Sequence, residues 1–346
     1  MQMINVALCS YGMSGQIFHG PLLEAHRGFK IIKILERTKD LSRDKHPSSE
    51  TVRRFSSILT DPDVELVIVN TPDHLHYEMT REALQAGKHV VVEKPFTLKS
   101  SHADELTNLA GKKGVVLTVF QNRRWDGDFL TVREIIEKGK LGRLVEFESH
   151  FDRYRNYLQD SWKDSGTEGT GTLYNLGSHL IDQALRLFGM PERIFCDSRM
   201  LRDGATTDDS FDLFLHYPGV KCLLRSSYLV REPGPRFILH GTEGSYLKWG
   251  IDPQEEAMKL GAVPGSDNWG VEPESAWGRI NTEFSGSRLE GSYRTIPGNY
   301  LAFYDNLYDV IRKRTEPEVT PAQAKDVIRI IEGAYESSSQ GRVIRF

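Results

Sequence analysis

The chain has 346 residues and a formal net charge of −4, which suits a globular protein of two domains. No basic stretch suits a phosphate backbone and no apolar run reaches the ~18 residues of a membrane helix, so neither nucleic acid nor a membrane is expected as a partner. Three widely spaced cysteines fit neither a zinc site nor a disulfide framework, and no signal-peptide pattern is visible; we therefore expect no metal and a cytoplasmic location.

The first third of the chain alternates between short apolar runs and helical patterns. Predicted strands cover 4–9, 30–35, 64–70, 89–92 and 115–119, and predicted helices cover 14–26, 51–59, 74–86 and 100–112. The strand segments are rich in Val and Ile, which is typical of parallel strands buried on both faces. This alternation predicts an α/β fold that begins with a doubly wound Rossmann domain, which we place at residues 1–122.

In the remaining residues, apolar and polar side chains alternate along short runs. Predicted strands cover 144–151, 211–216, 221–230, 237–240 and 245–249, and predicted helices cover 128–139, 170–187, 299–313 and 321–337. Tyr217-Pro218-Gly219 predicts a tight hairpin turn, and the polar stretch 250–298 is interpreted as a long surface excursion. These features predict an α+β domain over residues 123–346, with a largely antiparallel open sheet.

A Gly-rich turn follows the first predicted strand. Residues 10–15 read S-Y-G-M-S-G, which has the spacing of G-x-G-x-x-G with Ser in place of the first Gly. Between a strand and a helix, such a turn lets backbone N–H groups approach a pyrophosphate. An ordinary strand–helix turn without a nucleotide is the alternative. The residues that we expect to contact a dinucleotide here are Ser10, Gly12, Met13, Ser14 and Gly15.

The end of the second predicted strand bears on which dinucleotide binds. It carries Glu36 and Arg37 in succession, with Lys39 nearby. An acid accepts a hydrogen bond from the ribose 2′-OH of NAD, whereas an Arg pairs with the 2′-phosphate of NADP. We expect NADP in preference to NAD, because NAD has no 2′-phosphate and so requires neither an Arg nor a neighbouring Lys at this position. A solvated loop is the alternative.

The third buried strand ends at Thr71-Pro72, and His76 follows in the next helical pattern. Pro72 stops the strand, and the small Thr71 permits close approach of a ligand. These three residues are expected to line the cofactor site, although a surface position at the start of a helix is the alternative for a histidine here.

Glu93-Lys94-Pro95 follows a fully apolar strand. Parallel α/β sheets carry their ligands at the carboxyl ends of their strands, so Lys94 is expected beside the nicotinamide. A partly buried Lys can have its pKa lowered enough for acid–base work. The alternative is a surface lysine that forms an ion pair with Glu93.

A polar stripe marks the predicted helix 170–187. Asn175, His179 and Asp182 lie at i, i+4 and i+7 and share one face of an otherwise apolar helix. Unpaired buried polar groups are costly, so this stripe needs a reason. It indicates either a reactive site or a polar network within the core.

These motifs resemble those of the Gfo/Idh/MocA family, which includes glucose–fructose oxidoreductase and inositol dehydrogenase. The resemblance covers nearly the whole chain. The segments that carry it are the Gly-rich turn with 18–21, Thr71-Pro72, AGKHVVVEKP (86–95), QNRRWD (121–126) and 169–182. The stretches 122–131, 147–155 and 251–261 look like those of NADP-linked scyllo-inositol dehydrogenases within that family.

The resemblance implies roles for particular residues. Lys94 would lie between substrate and nicotinamide, and His179 would accept the proton of a sugar or polyol hydroxyl. Arg123 and Asp182 match positions that line the substrate pocket, and Trp162 resembles a tryptophan that approaches the cofactor. Glu93 joins the residues expected to bind the cofactor. The open face of the second sheet would form a homodimer, or a homotetramer by further pairing.

Asn175 departs from the family pattern, which commonly has Asp there. An Asp would orient His179 and stabilise its imidazolium form, whereas an Asn carries no charge. The general base therefore stays open among His179 alone, Lys94, and His179 helped by Asp182.

The sequence thus predicts a dehydrogenase that passes a hydride between a nicotinamide and a hydroxyl-bearing carbon of a sugar or polyol. One alternative is a nucleotide-binding regulatory protein without turnover, which the missing Asp at 175 favours. Another is NAD-assisted glycoside cleavage, in which the cofactor is recycled without net reduction.

Overall fold

The computed structural model describes residues 2–159, 164–284 and 286–346, which form two compact units. Unit 1 comprises Met1–Trp125, Gln254–Trp269 and Asn299–Lys325. Unit 2 comprises Asp126–Pro253, Gly270–Gly298 and Asp326–Phe346. Each unit is therefore assembled from segments that are distant in sequence.

Six parallel strands form the sheet of unit 1. They are β1 (Ile4–Leu8), β2 (Phe29–Leu35), β3 (Glu50–Val52), β4 (Leu66–Val69), β5 (His89–Val92) and β6 (Leu117–Val119). Their order is β3-β2-β1-β4-β5-β6. The side chains of β4 are all buried, as a central strand covered on both faces requires. The predicted Rossmann-type sheet is confirmed.

Helices accompany these strands. They are α1 (Gly20–Ala25), α2 (Ser56–Leu59), α3 (His76–Gln85) and α4 (Ser100–Lys113). The prediction of one helix over 51–59 is wrong in its first part, because Thr51 and Val52 pair with Ile34 and Leu35 of β2 as an edge strand. Both are β-branched residues, which favour strands. The helix predicted over 14–26 begins as a π-helical segment, Gly15–His19.

The later elements follow in chain order. They are α5 (Gly127–Glu137), β7 (Leu144–His150), α6 (Ser178–Phe188), β8 (Arg193–Arg199), β9 (Ser210–Tyr217), β10 (Val220–Ser227), β11 (Phe237–Gly241), β12 (Gly244–Lys248), α7 (Gln254–Lys259), β13 (Gly278–Phe284), β14 (Ser287–Tyr293), α8 (Leu301–Lys313), α9 (Pro321–Gln340) and β15 (Ile344–Arg345).

The sheet of unit 2 has nine strands in the order β14-β13-β12-β11-β7-β10-β9-β8-β15. Its neighbours are antiparallel except β7 and β10, so the prediction of a largely antiparallel sheet is confirmed. The predicted hairpin is present as well: Tyr217 pairs with Val220 across Pro218-Gly219, and Gly219 has φ +78°. Strand β8 was not predicted.

The stretch 250–298 is not a simple surface excursion. It contains the β13–β14 hairpin of unit 2 and also α7 of unit 1. Gln254 begins α7 and is fully buried; its side-chain oxygen accepts hydrogen bonds from Trp269 Nε1 (2.9 Å) and the Tyr300 N–H (2.7 Å). Polar residues of this stretch therefore form buried hydrogen bonds, and hydropathy alone does not distinguish them from exposed polar residues.

Within the described residues, no helix combines the length and apolar character needed to cross a membrane. In the same part of the chain, no group of three or more His, Cys, Asp or Glu side chains could hold a metal ion.

An ion pair joins α7 to the segment after β6. Arg123 Nη2 donates to Glu255 Oε2 at 2.6 Å, and Lys259 lies 2.9 Å from the other carboxylate oxygen. Burial opposes ionisation of Glu255, but the two cations outweigh it and lower its pKa from 4.5 to about 2.

We predict that Glu255→Gln lowers the free energy of unfolding by roughly 2 kcal/mol at neutral pH, because it removes the ionised partner of buried Arg123. A depressed pKa contributes stability that is complete above about pH 4.5 and is lost as the pH falls towards 2. Thermal unfolding of both proteins between pH 7 and pH 3 should therefore show a difference in Tm that shrinks in acid. A difference that is independent of pH would contradict this account.

Candidate functional site

The Gly-rich turn of unit 1 lies at the carboxyl end of β1 and is held by short polar contacts. Ser10 Oγ accepts the Gly12 N–H (3.1 Å), and Asn70 Nδ2 donates to the Ser10 carbonyl oxygen (2.8 Å). A Cβ on Gly15 would lie 2.6 Å from that same oxygen. Because only glycine fits, the following helix starts directly against the strand end. Gly12 and Met13 are exposed, so the turn and the helix N-terminus suit a pyrophosphate.

The Glu36 carboxylate accepts hydrogen bonds from its own loop. Its Oε1 accepts the Leu41 N–H (3.0 Å), and its Oε2 accepts the N–H and Oγ–H of Ser42 (2.9 and 2.6 Å). The side chain is buried. Arg37, by contrast, is exposed beside it. The structure therefore gives Glu36 the task of folding the loop after β2 and leaves a cation at its surface.

His76 is fully buried at the start of α3. Its Nδ1 lies 2.7 Å from the Pro95 carbonyl oxygen and its Nε2 lies 3.0 Å from that of Thr71. The ring thus joins the turn after β4 to the turn after β5. This contact holds the Thr71-Pro72 turn beside Lys94 and gives His76 a supporting position for the predicted cofactor site.

The Glu93-Lys94-Pro95 turn follows β5, and its Lys94–Pro95 peptide bond is cis. Glu93 Oε2 accepts the backbone N–H of Lys94 (3.1 Å), and Glu93 Oε1 lies 3.0 Å from His19 Nε2. His19 Nδ1 lies 2.6 Å from the Tyr304 hydroxyl. Burial opposes ionisation of Glu93, but His19 and the neighbouring cations outweigh it and lower its pKa.

In unit 1 the structure thus gathers four predicted segments, 10–15, 36–37, 71–76 and 93–94, along one edge of the sheet. Parallel pairing accounts for this, because β1, β2, β4 and β5 all end at that edge. Sequence reasoning missed His19 and Tyr304 as members of this group. Tyr304 lies 285 residues from His19 in sequence, and the helix predicted over 299–313 gave no signal for this contact.

In unit 2, the predicted polar stripe lies where a π-helical segment, Leu173–Gly177, leads into α6. His179 and Asp182 are buried, with 5% and 2% of their surface exposed, whereas Asn175 is half-buried. Asn175 Nδ2 donates to the Tyr228 hydroxyl (3.3 Å). The His179 ring stacks on Phe151, with centroids 6.5 Å apart. A buried His on a helix at a π-segment is typical of a functional site.

Asp208 holds the start of this helix. Its Oδ2 accepts the Leu173 N–H and the Thr172 hydroxyl, both at 2.8 Å, and its Oδ1 accepts the Tyr335 hydroxyl (2.6 Å). A Cβ on Gly171 would lie 2.0 Å from Oδ1, and Gly171 has φ +103°. Burial raises the pKa of Asp208 despite these donors. Sequence reasoning missed Asp208, because it lies far along the chain from the segment that it holds.

Arg236 also holds α6, through Gln183. Its Nη2 donates to Gln183 Oε1 (3.0 Å), and its Nη1 donates to Ser149 Oγ (2.5 Å) and to the His150 carbonyl oxygen (3.0 Å). The guanidinium lies 5.1 Å from the centre of the Phe151 ring, which also contacts His179. Sequence reasoning missed this residue too, because a single Arg just before a strand carries no signal.

Two predicted residues stand apart from these groups. Arg123 belongs to unit 1, where it pairs with Glu255 of α7. Trp162 lies outside the described residues.

The fold and the motifs point to one class of protein, an oxidoreductase with a dinucleotide-binding domain. Unit 1 has the parallel sheet with a Gly-rich turn and a Lys at a later strand end, and unit 2 has the helix that carries His179. The comparisons agree. Residues 4–121 match the oxidoreductase family with an NAD-binding Rossmann fold, and residues 133–346 match the C-terminal α/β domain of the same family. The chain belongs to this family, Gfo/Idh/MocA.

Similar proteins align along nearly the whole chain. It is 41% identical to scyllo-inositol 2-dehydrogenase (NADP⁺) of Bacillus subtilis, over 99% of this chain and 95% of that one. A crystal structure from Bacteroides fragilis is 47% identical, covers all of both chains and superposes with a TM-score of 0.92. An oxidoreductase from Bacillus cereus is 34% identical over 99% of each chain, with a TM-score of 0.91.

We predict that Gly15→Ala weakens the binding of NAD and NADP by about tenfold, because the new methyl group must displace the Ser10 carbonyl. The dissociation constants can be measured from the quenching of tryptophan fluorescence. Gly111→Ala in α4 is the matched control, since a Cβ there meets nothing within 4 Å. Equal affinities for the two variants would contradict the steric argument.

Proposed function

We propose that the protein transfers a hydride between C4 of a nicotinamide and a hydroxyl-bearing carbon of an inositol-like polyol or sugar. In the oxidative direction the carbon gives its hydride to the nicotinamide, the hydroxyl gives its proton to a side chain, and a C=O bond forms. The observation that carries the proposal is the fixed placement of Lys94 on the sheet edge that holds the Gly-rich turn. The name of the Bacillus subtilis relative supports the substrate class.

We further propose a division of labour along the chain. Residues 1–122 bind the nucleotide through the turns already described, and residues 123–346 supply the substrate-binding and oligomerisation surfaces. Residues 254–269 and 299–325 also belong to unit 1, so they add supporting segments to the nucleotide-binding part of the chain. Thr71, Pro72, Glu93 and Trp162 remain proposed cofactor-binding positions.

His179 and Lys94 are the two proposed proton acceptors. His179 is buried on α6, whose start is held by Asp208, so its ring is well positioned. Asn175 contacts the Tyr228 hydroxyl and brings no charge, so it positions a hydroxyl or the ring rather than stabilising an imidazolium. Arg123 and Asp182 both remain proposed substrate contacts.

For the cofactor, we propose NADP. The reason is local: the Glu36 carboxylate is buried and accepts three hydrogen bonds from residues 41 and 42, whereas Arg37 is exposed at the end of the strand that faces the adenosine ribose. Arg53 holds the loop in this form by donating to the carbonyl oxygens of Glu36 and Lys39.

We predict that Arg37→Ala weakens NADP binding by about 10- to 100-fold and leaves NAD binding within about twofold, since a hydrogen bond to a charged group contributes about 1.5–3 kcal/mol. Titration of both cofactors into the wild type and the variant measures this. Arg43→Ala, another exposed cation of the same loop, is the control for general charge screening. A preference of the wild type for NAD would reject the proposal and restore Glu36 as the ribose ligand.

The reaction itself is tested by incubating the protein with NADP and a panel of polyols and sugars while nicotinamide absorbance is followed. Net reduction with an inositol supports the proposal. Cleavage of a glycoside without net reduction would indicate recycling of the cofactor instead. Tight NADP binding with no change in any substrate would indicate a regulatory protein, the alternative that Asn175 favours.

Three variants should identify the proton acceptor. We expect Lys94→Met to keep NADP affinity and lose about 10²-fold in kcat. We expect Asn175→Asp to raise kcat/KM and move its acidic limb to higher pH if His179 is the base, because a carboxylate stabilises the imidazolium.

His179→Ala, alone and combined with Asn175→Asp, completes the cycle. The gain from Asn175→Asp should vanish without His179. A gain that persists in the double variant would show that the Asn175–His179 pair does not handle the proton, and Lys94 would become the base.

We also propose that the sheet of unit 2 mediates homodimer formation, with a homotetramer as the further assembly. Along β9 and β10 the fully buried residues Leu213, Leu215 and Leu224 alternate with less buried ones, including Phe214 and His216. A sheet face that retains apolar side chains suits contact with a second copy. Light scattering in solution determines the mass of the assembly.

A further inference from the structure

A chain of three side chains, two fully buried and the third half-buried, adjoins the Lys94 turn of unit 1. Tyr304 of α8, His19 of the π-helical segment and Glu93 at the end of β5 follow one another at 2.6 and 3.0 Å. The chain ends on the backbone N–H of Lys94, which Glu93 Oε2 accepts at 3.1 Å. These hydrogen bonds therefore link three segments of unit 1 to one peptide group: α8, the π-helical segment and the turn after β5.

The directions of these hydrogen bonds follow from the groups involved. Tyr304 is fully buried, and burial together with the Glu93 charge holds the pKa of its phenol well above the usual value, so it is an O–H donor. In the tautomer of His19 that accepts this bond at Nδ1, the ring proton is on Nε2, which lies 3.0 Å from Glu93 Oε1. Glu93 then accepts from His19 through one oxygen and from Lys94 through the other. Every polar atom of the chain is used in a single consistent orientation.

The surroundings keep this orientation fixed. His19 and Tyr304 are both 0% exposed, and the ring of Phe120 lies 4.5 Å from that of His19. Phe29 packs edge-on against Tyr304 at 5.6 Å. Hydrogen bonds in such an apolar setting are stronger than in water and tolerate little rearrangement. The carboxylate of Glu93 is therefore held by buried partners rather than by solvent.

We propose that His19 and Tyr304 are positioning residues, which fix Glu93 and, through it, the backbone of Lys94. This inference rests on the proposed catalytic role of Lys94. It assigns Glu93 a task in addition to its proposed place at the cofactor: one oxygen holds the Lys94 amide and the other is held by His19. Displacement of a reacting group by as little as 1 Å can cost about 10²-fold in rate, so a network of this kind affects turnover.

Packing alone is the competing explanation, and it makes a different prediction. If His19 and Tyr304 only fill space, a change at either residue loosens all of their neighbours alike, including β2, where Phe29 contacts Tyr304. If they position Lys94, the loss of one hydrogen bond increases the mobility of the Lys94 amide and leaves that of β2 unchanged.

The test uses Tyr304→Phe, which removes only the hydroxyl, and His19→Gln. Tyr308→Phe is the matched control, because it removes a hydroxyl from the next turn of α8 that contacts the Gln2 carbonyl oxygen instead. The first measurement is hydrogen–deuterium exchange of the whole protein without cofactor, resolved to the Lys94 amide, with Phe29–Leu35 as the reference. The second is kcat, KM and the NADP dissociation constant.

We expect exchange at Lys94 to rise about tenfold in Tyr304→Phe and His19→Gln, with the reference strand and the control variant unchanged. We expect kcat to fall about tenfold while KM and NADP affinity stay within about twofold. Unchanged exchange at Lys94, or an equal rise in the reference strand, would overturn the proposal, as would unchanged kcat in an active enzyme.

The two proposals fail separately. If the wild type oxidises no polyol, the proposed function fails, yet the exchange experiment still decides whether His19 and Tyr304 hold the Lys94 turn. If the wild type is active and Lys94 exchange does not respond, the function stands and the positioning chain is rejected.

Discussion

Parallel pairing of apolar strands is the constraint on which the rest of unit 1 depends. Backbone hydrogen bonds keep Leu8, Ile68 and Val91 in register at the centre of the sheet, so the turns that follow them end at one edge. Burial of these strands on both faces fixes that register, because any other alignment would expose apolar side chains or leave backbone groups unpaired. The Gly-rich turn and the lysine turn come together for this reason, although eighty residues separate them.

Buried polar contacts then give these turns their precise form. The Glu36 carboxylate shapes the loop after β2, and the Glu93 carboxylate holds the peptide of Lys94. Glu36 is buried and Glu93 is half-buried, and a carboxylate in such a position is tolerated only where donors surround it. Two acids that read as ligands in the sequence thus also accept hydrogen bonds from the protein's own backbone.

In unit 2, an analogous arrangement holds the helix that carries His179. Asp208, in a distant loop, holds the start of the π-helical segment that leads into this helix, and Arg236, which precedes β11, holds Gln183. A π-helical segment also lies directly before α1 in unit 1 and directly before α6 in unit 2. A π-turn changes the direction in which side chains leave the helix and recurs at functional sites. In both units, polar side chains hold the segments that carry the reactive candidates in place.

The sequence by itself determined the Rossmann order of strands and helices, the Gly-rich turn, the prominence of Lys94 and His179, and the tight turn at Pro218-Gly219. Each of these depends on local periodicity or on the geometry of single residues, which neighbouring positions reveal. Only the tertiary structure decided that 50–52 is a strand, that α7 pairs with Arg123, and that Tyr304 reaches Glu93 through His19. Those outcomes depend on contacts between residues far apart in the chain, and a buried hydrogen bond of that kind leaves no periodic trace in a single sequence.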